Sequence, residues 1–252
     1  MANPIQIIPI VGVPEVQPGD DLVLLLRDAL AQQELPLQTG DVLVVTQKIV
    51  SKAEGRLVDP TTLDPSAFAH QLAAQGRKDA HAYEVILRES RRIVKMVPGV
   101  LITETHHGLI CANSGVDESN VDGGRMLCLL PQDADASAAR LREQVQAQTG
   151  AQIAVIISDT FGRPWRTGQV NVAIGCAGLE PLSDYTGQPD PHGYTMQATV
   201  LAVADELASA AELVMGKVDR VPVALIRGYC FTPSNEATGQ MLLRDPRTDL
   251  FR

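Results

Sequence analysis

The sequence predicts an α+β fold, and three observations support that prediction. Short apolar runs and amphipathic segments follow one another in an irregular order, which differs from the strict βαβ alternation of a doubly wound sheet. The chain has 252 residues, of which 45% are hydrophobic and 20% charged, and such a globular composition can bury a sizeable core. Aromatic residues make up only 4%, so this core must consist of Val, Leu, Ile and Ala. We interpret residues 1–252 as one domain, and the length is compatible with two lobes.

The first third of the chain predicts strands that alternate with helices. Asp20 or Asp21 can cap the first helix, because an aspartate there accepts hydrogen bonds from free backbone N–H groups. Asp64-Pro65 has the cap-then-proline pattern of a later helix start. In chain order, the predicted elements are a strand from Ile5 to Ile10, a helix to about Gln33, a strand from Asp41 to Thr46, a segment from Gln47 to Val58, the helix that opens at Asp64-Pro65, and a helix near His81 to Glu89.

The rest of the chain predicts further short strands and two longer helices. From Thr232 to Arg252 the chain becomes polar, and we expect a tail that lies on the surface or on a partner. In chain order, the predicted elements are strands from Ile93 to Val97, Val100 to Thr103, Leu109 to Ala112 and Met126 to Leu130, a helix from Ala134 to Gln148, strands from Ile153 to Ile157 and Val170 to Ile174, a polar loop from Gly187 to Gly193, a helix from Ala198 to Met215, and a strand from Pro222 to Ile226.

Charge and hydropathy exclude several classes of function. The formal net charge of -9 argues against a nucleic-acid-binding protein or an anionic-membrane surface, since both require a positive balance. No stretch approaches the ~20 apolar residues of a membrane-spanning helix, and the N-terminus lacks the pattern of a signal peptide. We therefore expect a cytoplasmic protein. Four cysteines without CxxC spacing predict reduced thiols rather than a zinc site or disulfides: Cys111, Cys128, Cys176 and Cys230.

Asp159 and Thr160 are the most informative pair, because they follow the apolar run Ala154 to Ile157. We interpret residues 158–166 as a polar turn at the end of that strand. The acid and the hydroxyl suit Mg²⁺ or Mn²⁺, which prefer oxygen ligands, whereas Arg163 and Arg166 suit phosphate or carboxylate. These residue types predict metal-assisted chemistry on a phosphorylated substrate. On these residues alone, a capped strand end with solvated arginines is an equally good interpretation.

A second acidic cluster, residues 113–120, follows the predicted strand Leu109 to Ala112. Asp117 in this cluster and Asp159 each follow a predicted strand, so both could bind one cation that bridges phosphate oxygens in phosphoryl transfer. Taken alone, a cluster of Asn, Ser, Gly and Asp is more typical of a hairpin loop.

The sequence contains no common nucleotide-binding motif, since neither GxxxxGK[ST] nor GxGxxG after a strand occurs. The glycine of Val11-Gly12-Val13-Pro14 would let a phosphate approach the backbone, although a strand-to-helix turn is the simpler interpretation. Lys48 and Lys52 share a face if they lie on a helix. Two ammonium groups on one face could bind a triphosphate, although such a basic face is more commonly solvated. Met215-Gly216-Lys217 also allows two interpretations. Glycine is an ordinary helix C-cap with a solvated lysine after it, but this lysine could also contact a ligand.

Four longer segments resemble the coenzyme F420-0:γ-glutamyl ligase family: Val44 to Gly55, Cys111 to Val121, Ile156 to Arg166 and Ala204 to Leu213. The resemblance extends from about Ile8 to Gly228. It implies a family-specific fold, an intertwined homodimer, and a ligase that uses GTP to add L-glutamate to the carboxylate of coenzyme F420-0, a phosphodiester-linked deazaflavin. It also implies Mg²⁺ or Mn²⁺ as cofactor, with help from a monovalent cation such as K⁺.

Carried over by position, the resemblance implies a metal site and a GTP site. The metal ligands would be Asp117, Asp159 and Thr160. The GTP site would comprise Val11, Gly12, Val13, Pro14, Gln47, Lys48, Lys52 and Asn120, with Met215, Gly216 and Lys217 in a segment that closes over the nucleotide.

Lys217 is a departure from the family pattern, because some members have an acidic or amide ligand of a second metal at this position. A protonated lysine cannot ligate a metal. Either a second metal is held differently here, or Lys217 supplies positive charge in its place. Some relatives also have a flavin-binding reductase domain after the ligase, which we do not expect in this chain.

The expected mechanism transfers the γ-phosphoryl group of GTP to the substrate carboxylate, and the glutamate amine then attacks the acyl phosphate. This chemistry depends on alignment and charge neutralisation, and the sequence suggests no protein nucleophile. We assign Arg163 and Arg166 to the phosphodiester of the substrate or the carboxylate of glutamate. Two alternatives remain. A metal-dependent phosphohydrolase would release phosphate from GTP without glutamate, and a non-catalytic nucleotide-binding module would bind GTP without turnover.

Overall fold

The computed structural model describes residues 4–118 and 125–249. Its centre is a sheet of five strands: β1 (Gln6–Ile10), β2 (Val42–Thr46), β8 (Ala154–Gly162), β9 (Gln169–Ala177) and β12 (Val223–Arg227). They lie in the order β1-β12-β2-β8-β9. Strands β2 and β8 are parallel, and the other neighbouring pairs are antiparallel. A mixed sheet with helices in irregular order agrees with the predicted α+β class.

Helices cover both faces of this sheet. Helices α1 (Leu22–Gln32) and α5 (Ala134–Thr149) pack on one face, and α6 (Val203–Met215) packs on the other. Successive strand side chains point to opposite faces, so Leu43 and Val45 of β2 contact the first pair of helices while Val42 and Val44 contact α6. Burial on both faces explains why the central strands are continuous apolar runs.

Helix α2 (Gln47–Ala53) follows β2 and packs in the core of the central sheet through Ile49 and Val50. The residues between α2 and α5 form a smaller packing unit beside the sheet, which contains α3 (Ala67–Gln75), α4 (Ala80–Arg88) and the antiparallel strands β4 (Ser90–Val97), β5 (Val100–Thr105) and β6 (Ile110–Ala112). Tyr83 and Leu101 are buried at its centre. The short strands β3 (Leu57–Val58) and β7 (Leu127–Cys128) pair with each other, as do β10 (Ser183–Asp184) and β11 (Val200–Leu201).

Three predicted boundaries are wrong for identifiable reasons. The polar turn predicted at residues 158–166 begins only after Gly162, because β9 pairs with β8 along its whole length and keeps the polar residues extended. The helix predicted at Asp64-Pro65 starts at Ala67, because Ser66 is the residue whose side chain caps it. The helix predicted from Ala198 starts at Val203, because Val200–Leu201 pairs as a strand. The first helix is capped by Asp21, as predicted.

The polar stretch of residues 232–249 lies on the protein surface, with a few of its residues buried against the rest of the fold. Gly239 is buried, and its N–H donates to the Asp135 carboxylate at 2.6 Å. The four cysteines are free thiols, as predicted. In the described ranges, every helix is too short or too polar to cross a membrane.

Candidate functional site

One edge of the central sheet collects the predicted site residues. Strands β1 and β2 are both antiparallel to β12, and β8 is parallel to β2. The carboxyl ends of β1, β2 and β8 therefore meet at this edge. Residues 11–14 follow β1, Gln47 follows β2 directly, and Asp159 and Thr160 lie in the last part of β8. The segment that leads from α6 into β12 returns to the same edge.

Asp117 and Asp159 lie within electrostatic reach of each other. Asp117 is held next to β7 by reciprocal backbone hydrogen bonds with Cys128 of 2.9 and 2.8 Å, and its Oδ2 is 2.6 Å from the Lys48 ammonium. The pKa of the Asp159 carboxyl is raised to about 7. Burial is the main cause and the negative charge of Asp117 adds to it, whereas the hydrogen bond from the Thr160 backbone and the charges of Lys48 and Lys217 oppose the rise. The two aspartates therefore share one local field with two lysines.

A chain of four polar side chains extends from β8 across β9 to α6. The Thr160 hydroxyl donates to Asn171 Oδ1 at 2.6 Å, and Asn171 Nδ2 donates to Glu212 Oε2 at 2.7 Å. Lys217 closes the chain, because its ammonium lies 2.8 Å from Glu212 Oε1 and donates to the Thr160 hydroxyl. Neither Asn171 nor Glu212 is among the predicted site residues.

Among the predicted nucleotide residues of α2, Gln47 and Lys52 are buried and Lys48 is half-buried. The Gln47 side chain accepts a hydrogen bond of 2.8 Å from the Ser51 hydroxyl. Lys52 is also buried, and its ammonium pairs with the Glu15 carboxylate. This ion pair ties α2 to the segment that follows β1, so the structure brings residues 11–14 and both lysines to the same region.

The turns at this edge depend on glycine. Gly12 has a φ of +82°, and the neighbouring Val11 N–H donates to Gln33 Oε1 at 2.8 Å. Gly216 ends α6 with a φ of +59° and a ψ of −168°, a region that is essentially limited to glycine. A Cβ on Gly216 would lie 2.3 Å from Asp219 Oδ2. Met215, one residue earlier, is fully buried.

Two predicted residues lie apart from this cluster. Arg163 and Arg166 are exposed in the connection between β8 and β9, beyond the sheet edge, and neither forms an ion pair with an acidic residue in the described ranges. Asn120 lies outside the described residues, so its predicted contact with GTP stays a prediction.

The donor set fits a hard divalent cation. Carboxylate and hydroxyl oxygens are the ligands that Mg²⁺ and Mn²⁺ prefer, and the Asp117, Asp159 and Thr160 side chains supply them. Two lysine ammonium groups contact these side chains in the structure: Lys48 forms an ion pair with Asp117, and Lys217 donates a hydrogen bond to the Thr160 hydroxyl. Within residues 4–118 and 125–249 there is no group of three or more His, Cys, Asp and Glu side chains placed to hold a metal ion, so the fit rests on two carboxylates with a hydroxyl.

The cysteines near the site are unsuited to nucleophilic chemistry. Burial raises the pKa of the Cys111 thiol to about 12 and that of the Cys128 thiol to about 11. Because the thiolate is the reactive form, both side chains act as core residues.

Comparison with known proteins matches this chain to one family. The family model described as F420-0:Gamma-glutamyl ligase matches residues 11–228. The chain is 44% identical to the coenzyme F420:L-glutamate ligase of Methanothermobacter thermautotrophicus, over 98% of this chain and 99% of that protein. It is 43% identical to the protein of the same name from Methanopyrus kandleri, over 94% of each chain, and 42% identical to that of Methanocaldococcus jannaschii, over 90% of each.

Proposed function

Because this chain belongs to the F420-0:gamma-glutamyl ligase family, we propose that it adds L-glutamate to the carboxylate of coenzyme F420-0, with GTP as the energy source, in coenzyme F420 biosynthesis. The observation that carries the proposal is the meeting of Asp117 and Asp159 with two lysines at the edge where residues 11–14 and α2 also end. The match along nearly the whole length of the relatives supports the same activity.

The proposed cation site consists of the Asp117 and Asp159 carboxylates and the Thr160 hydroxyl. A bound Mg²⁺ or Mn²⁺ would supply positive charge to the phosphate oxygens of GTP. Asn171 Oδ1 accepts a hydrogen bond from the Thr160 hydroxyl, so the lone pairs of that hydroxyl oxygen face away from Asn171. The family resemblance adds K⁺ as an accessory cation and a homodimer as the assembly, and both are part of the proposal.

The proposed GTP site combines glycine-containing turns with positive charge. The Gly12 turn in residues 11–14 would present backbone that a phosphate or base can approach closely, and the Gly216 turn ends α6 at the same edge. Lys48 and Lys52 lie one helical turn apart on α2, and Lys217 adds a third ammonium from the end of α6. In this site the lysines would exchange their carboxylate partners for phosphate oxygens when GTP binds.

Two steps account for the proposed reaction. A carboxylate oxygen of F420-0 attacks the γ-phosphorus of GTP, the bond to the bridging oxygen breaks, and GDP leaves. The glutamate amine then attacks the acyl carbon, the amine proton is lost to solvent, and inorganic phosphate leaves as the amide forms. The lysines offset charge on the leaving groups, and the exposed Arg163 and Arg166 bind the phosphodiester of the acceptor or the carboxylate of glutamate.

Product mass and phosphate release together test this proposal. The purified chain is incubated with GTP, Mn²⁺, glutamate and F420-0, and the expected product is heavier than F420-0 by one or more glutamyl residues. Phosphate release should require both glutamate and F420-0. Asp117→Ala and Asp159→Ala should each abolish turnover while thermal unfolding shows that the fold is retained.

The same assay separates the two alternatives. Phosphate released from GTP without either acceptor or glutamate would indicate a phosphohydrolase. GTP binding that persists without divalent cation, with no turnover under any condition, would indicate a nucleotide-binding module. Full amide-forming activity in either aspartate variant would contradict the shared cation site.

A further inference from the structure

The connection between β8 and β9 presents the one tryptophan of the chain to solvent. Trp165 is 77% exposed and has a φ of +59°. Bulky side chains are rarely held in this left-handed region, and such backbone outliers concentrate at ligand-binding positions. Arg163 and Arg166 lie two residues before it and one residue after it in the sequence, and both are also exposed. An exposed aromatic residue with an arginine close by on each side in the sequence suits a ligand that has both a flat ring system and a negative charge.

This connection is a direct continuation of the site strand. Asp159 and Thr160 lie in β8, which continues through Gly162 before the connection begins. At about 3.3 Å per strand residue, Gly162 is roughly 10 Å beyond Asp159. A ligand that reaches from the carboxylates of the site to Trp165 must therefore be elongated, with its reacting group at one end and its ring at the other.

We propose that Trp165 is the stacking surface for the aromatic ring system of the acceptor, while Arg163 and Arg166 bind the phosphodiester that joins this ring to the reacting carboxylate. The inference rests on the proposed function, since it positions the far end of the same acceptor. Trp165 has no role in the phosphoryl or acyl transfer steps. Its contribution is to fix the acceptor along the axis of β8, so that the carboxylate arrives beside Asp159 and Asp117.

The single tryptophan makes this inference measurable without catalysis. Titration of the chain with F420-0 should quench the intrinsic tryptophan fluorescence in a saturable manner, because a stacked ring contacts the indole directly. GTP alone should leave that emission unchanged. Trp165→Phe removes the signal and thereby assigns it to this position.

Kinetics provide the second measurement. Trp165→Ala should raise the KM for F420-0 by about tenfold, the effect of losing one aromatic stacking contact, while the KM values for GTP and glutamate stay the same. Trp165→Phe should restore most of the acceptor KM, since it keeps an aromatic face. Tyr194→Ala is the matched control, because Tyr194 is also an exposed aromatic residue, at 64%, and should change none of these constants.

The outcomes separate this inference from the proposed function. If the wild-type chain makes the amide but Trp165→Ala leaves the KM for F420-0 unchanged, Trp165 is not the stacking surface and the ligase activity stands. A change in oligomeric state of Trp165→Ala with an unchanged acceptor KM would instead assign this connection to a subunit interface and overturn the inference. Saturable quenching by F420-0 without amide formation would support stacking and refute the ligase activity.

Discussion

Replacing Asn171 with alanine tests the polar chain that joins β8 to α6. Asn171 is 1% exposed, and its amide accepts from the Thr160 hydroxyl and donates to the Glu212 carboxylate. A buried hydrogen bond between neutral groups contributes about 1 kcal/mol, and one to a charged group about 1.5–3 kcal/mol. Asn171→Ala should therefore lower the free energy of unfolding by about 3 kcal/mol. In a chain of this size, this loss corresponds to a fall in Tm of roughly 6–12 °C.

The same substitution should impair catalysis, because Thr160 and Lys217 lose the partner that fixes their relative position. We expect kcat/KM for GTP to fall on the order of 10-fold to 100-fold, as misplacement of aligned groups generally causes. Urea denaturation and steady-state phosphate release are the two assays.

Ser209→Ala is the matched control for Asn171→Ala. The Ser209 hydroxyl donates to the Asn171 backbone carbonyl at 2.7 Å, so its loss should cost about 1 kcal/mol of stability and leave the kinetics for GTP unchanged. If Asn171→Ala has the stability and kinetics of Ser209→Ala, the side-chain network does not position Thr160, and the reasoning above is refuted.

Three further predictions concern stability and nucleotide binding. Arg227→Ala leaves the buried Asp41 carboxylate without the guanidinium that it binds at 2.9 and 2.7 Å. Urea denaturation should therefore show that the free energy of unfolding falls by about 3 kcal/mol. The kcat should stay unchanged, because Arg227 lies at the opposite edge of the sheet from the candidate site. Hydrogen bonds from the Ser66 backbone and from Arg88 lower the pKa of Glu84 from 4.5 to about 2, so the ionised carboxylate stabilises the fold above pH 4.5 and loses this effect as the pH falls towards 2. The free energy of unfolding of Glu84→Gln should therefore be lower than that of wild type at neutral pH, and the difference should narrow as the pH falls from 4.5 to 2. A difference that stays constant with pH would contradict this assignment. Gly216→Ala should cost about 1–3 kcal/mol of backbone strain and weaken GTP binding measured by isothermal titration, whereas unchanged affinity would remove this turn from the nucleotide site.

Local patterns in the sequence predict most of the elements but not all of their ends. The Asp21 cap and the apolar runs of the central strands are decided by neighbouring residues, so their prediction agrees with the structure. The length of β8 could not be predicted in this way. Ser158, Asp159 and Thr160 resemble a turn, and they stay extended because distant β9 residues pair with them.

In the candidate site too, some residues can be predicted from the sequence and others depend on how separate elements pack together. Asp117, Asp159 and Lys48 lie in long segments that resemble one family, whereas Lys217 departs from the pattern of that family. The structure brings all four into one electrostatic neighbourhood. Asn171 lies in a stretch that reads only as an ordinary strand. Its role comes from a register that places it opposite Thr160 and from the approach of α6, and neither is encoded in neighbouring residues.

The position of β12 has a consequence for the order in which the protein acquires activity. This strand is the last of the central sheet in chain order, yet it lies between β1 and β2 and is the sheet partner through which β1 joins the others. An emerging polypeptide on the ribosome therefore cannot pair β1 into the sheet until β12 has been synthesised. Pairings between such distant residues also form slowly. We expect chains that stop before β12 to leave GTP unconsumed, because the Gly12 turn at the end of β1 reaches its place on the sheet only once this strand has paired.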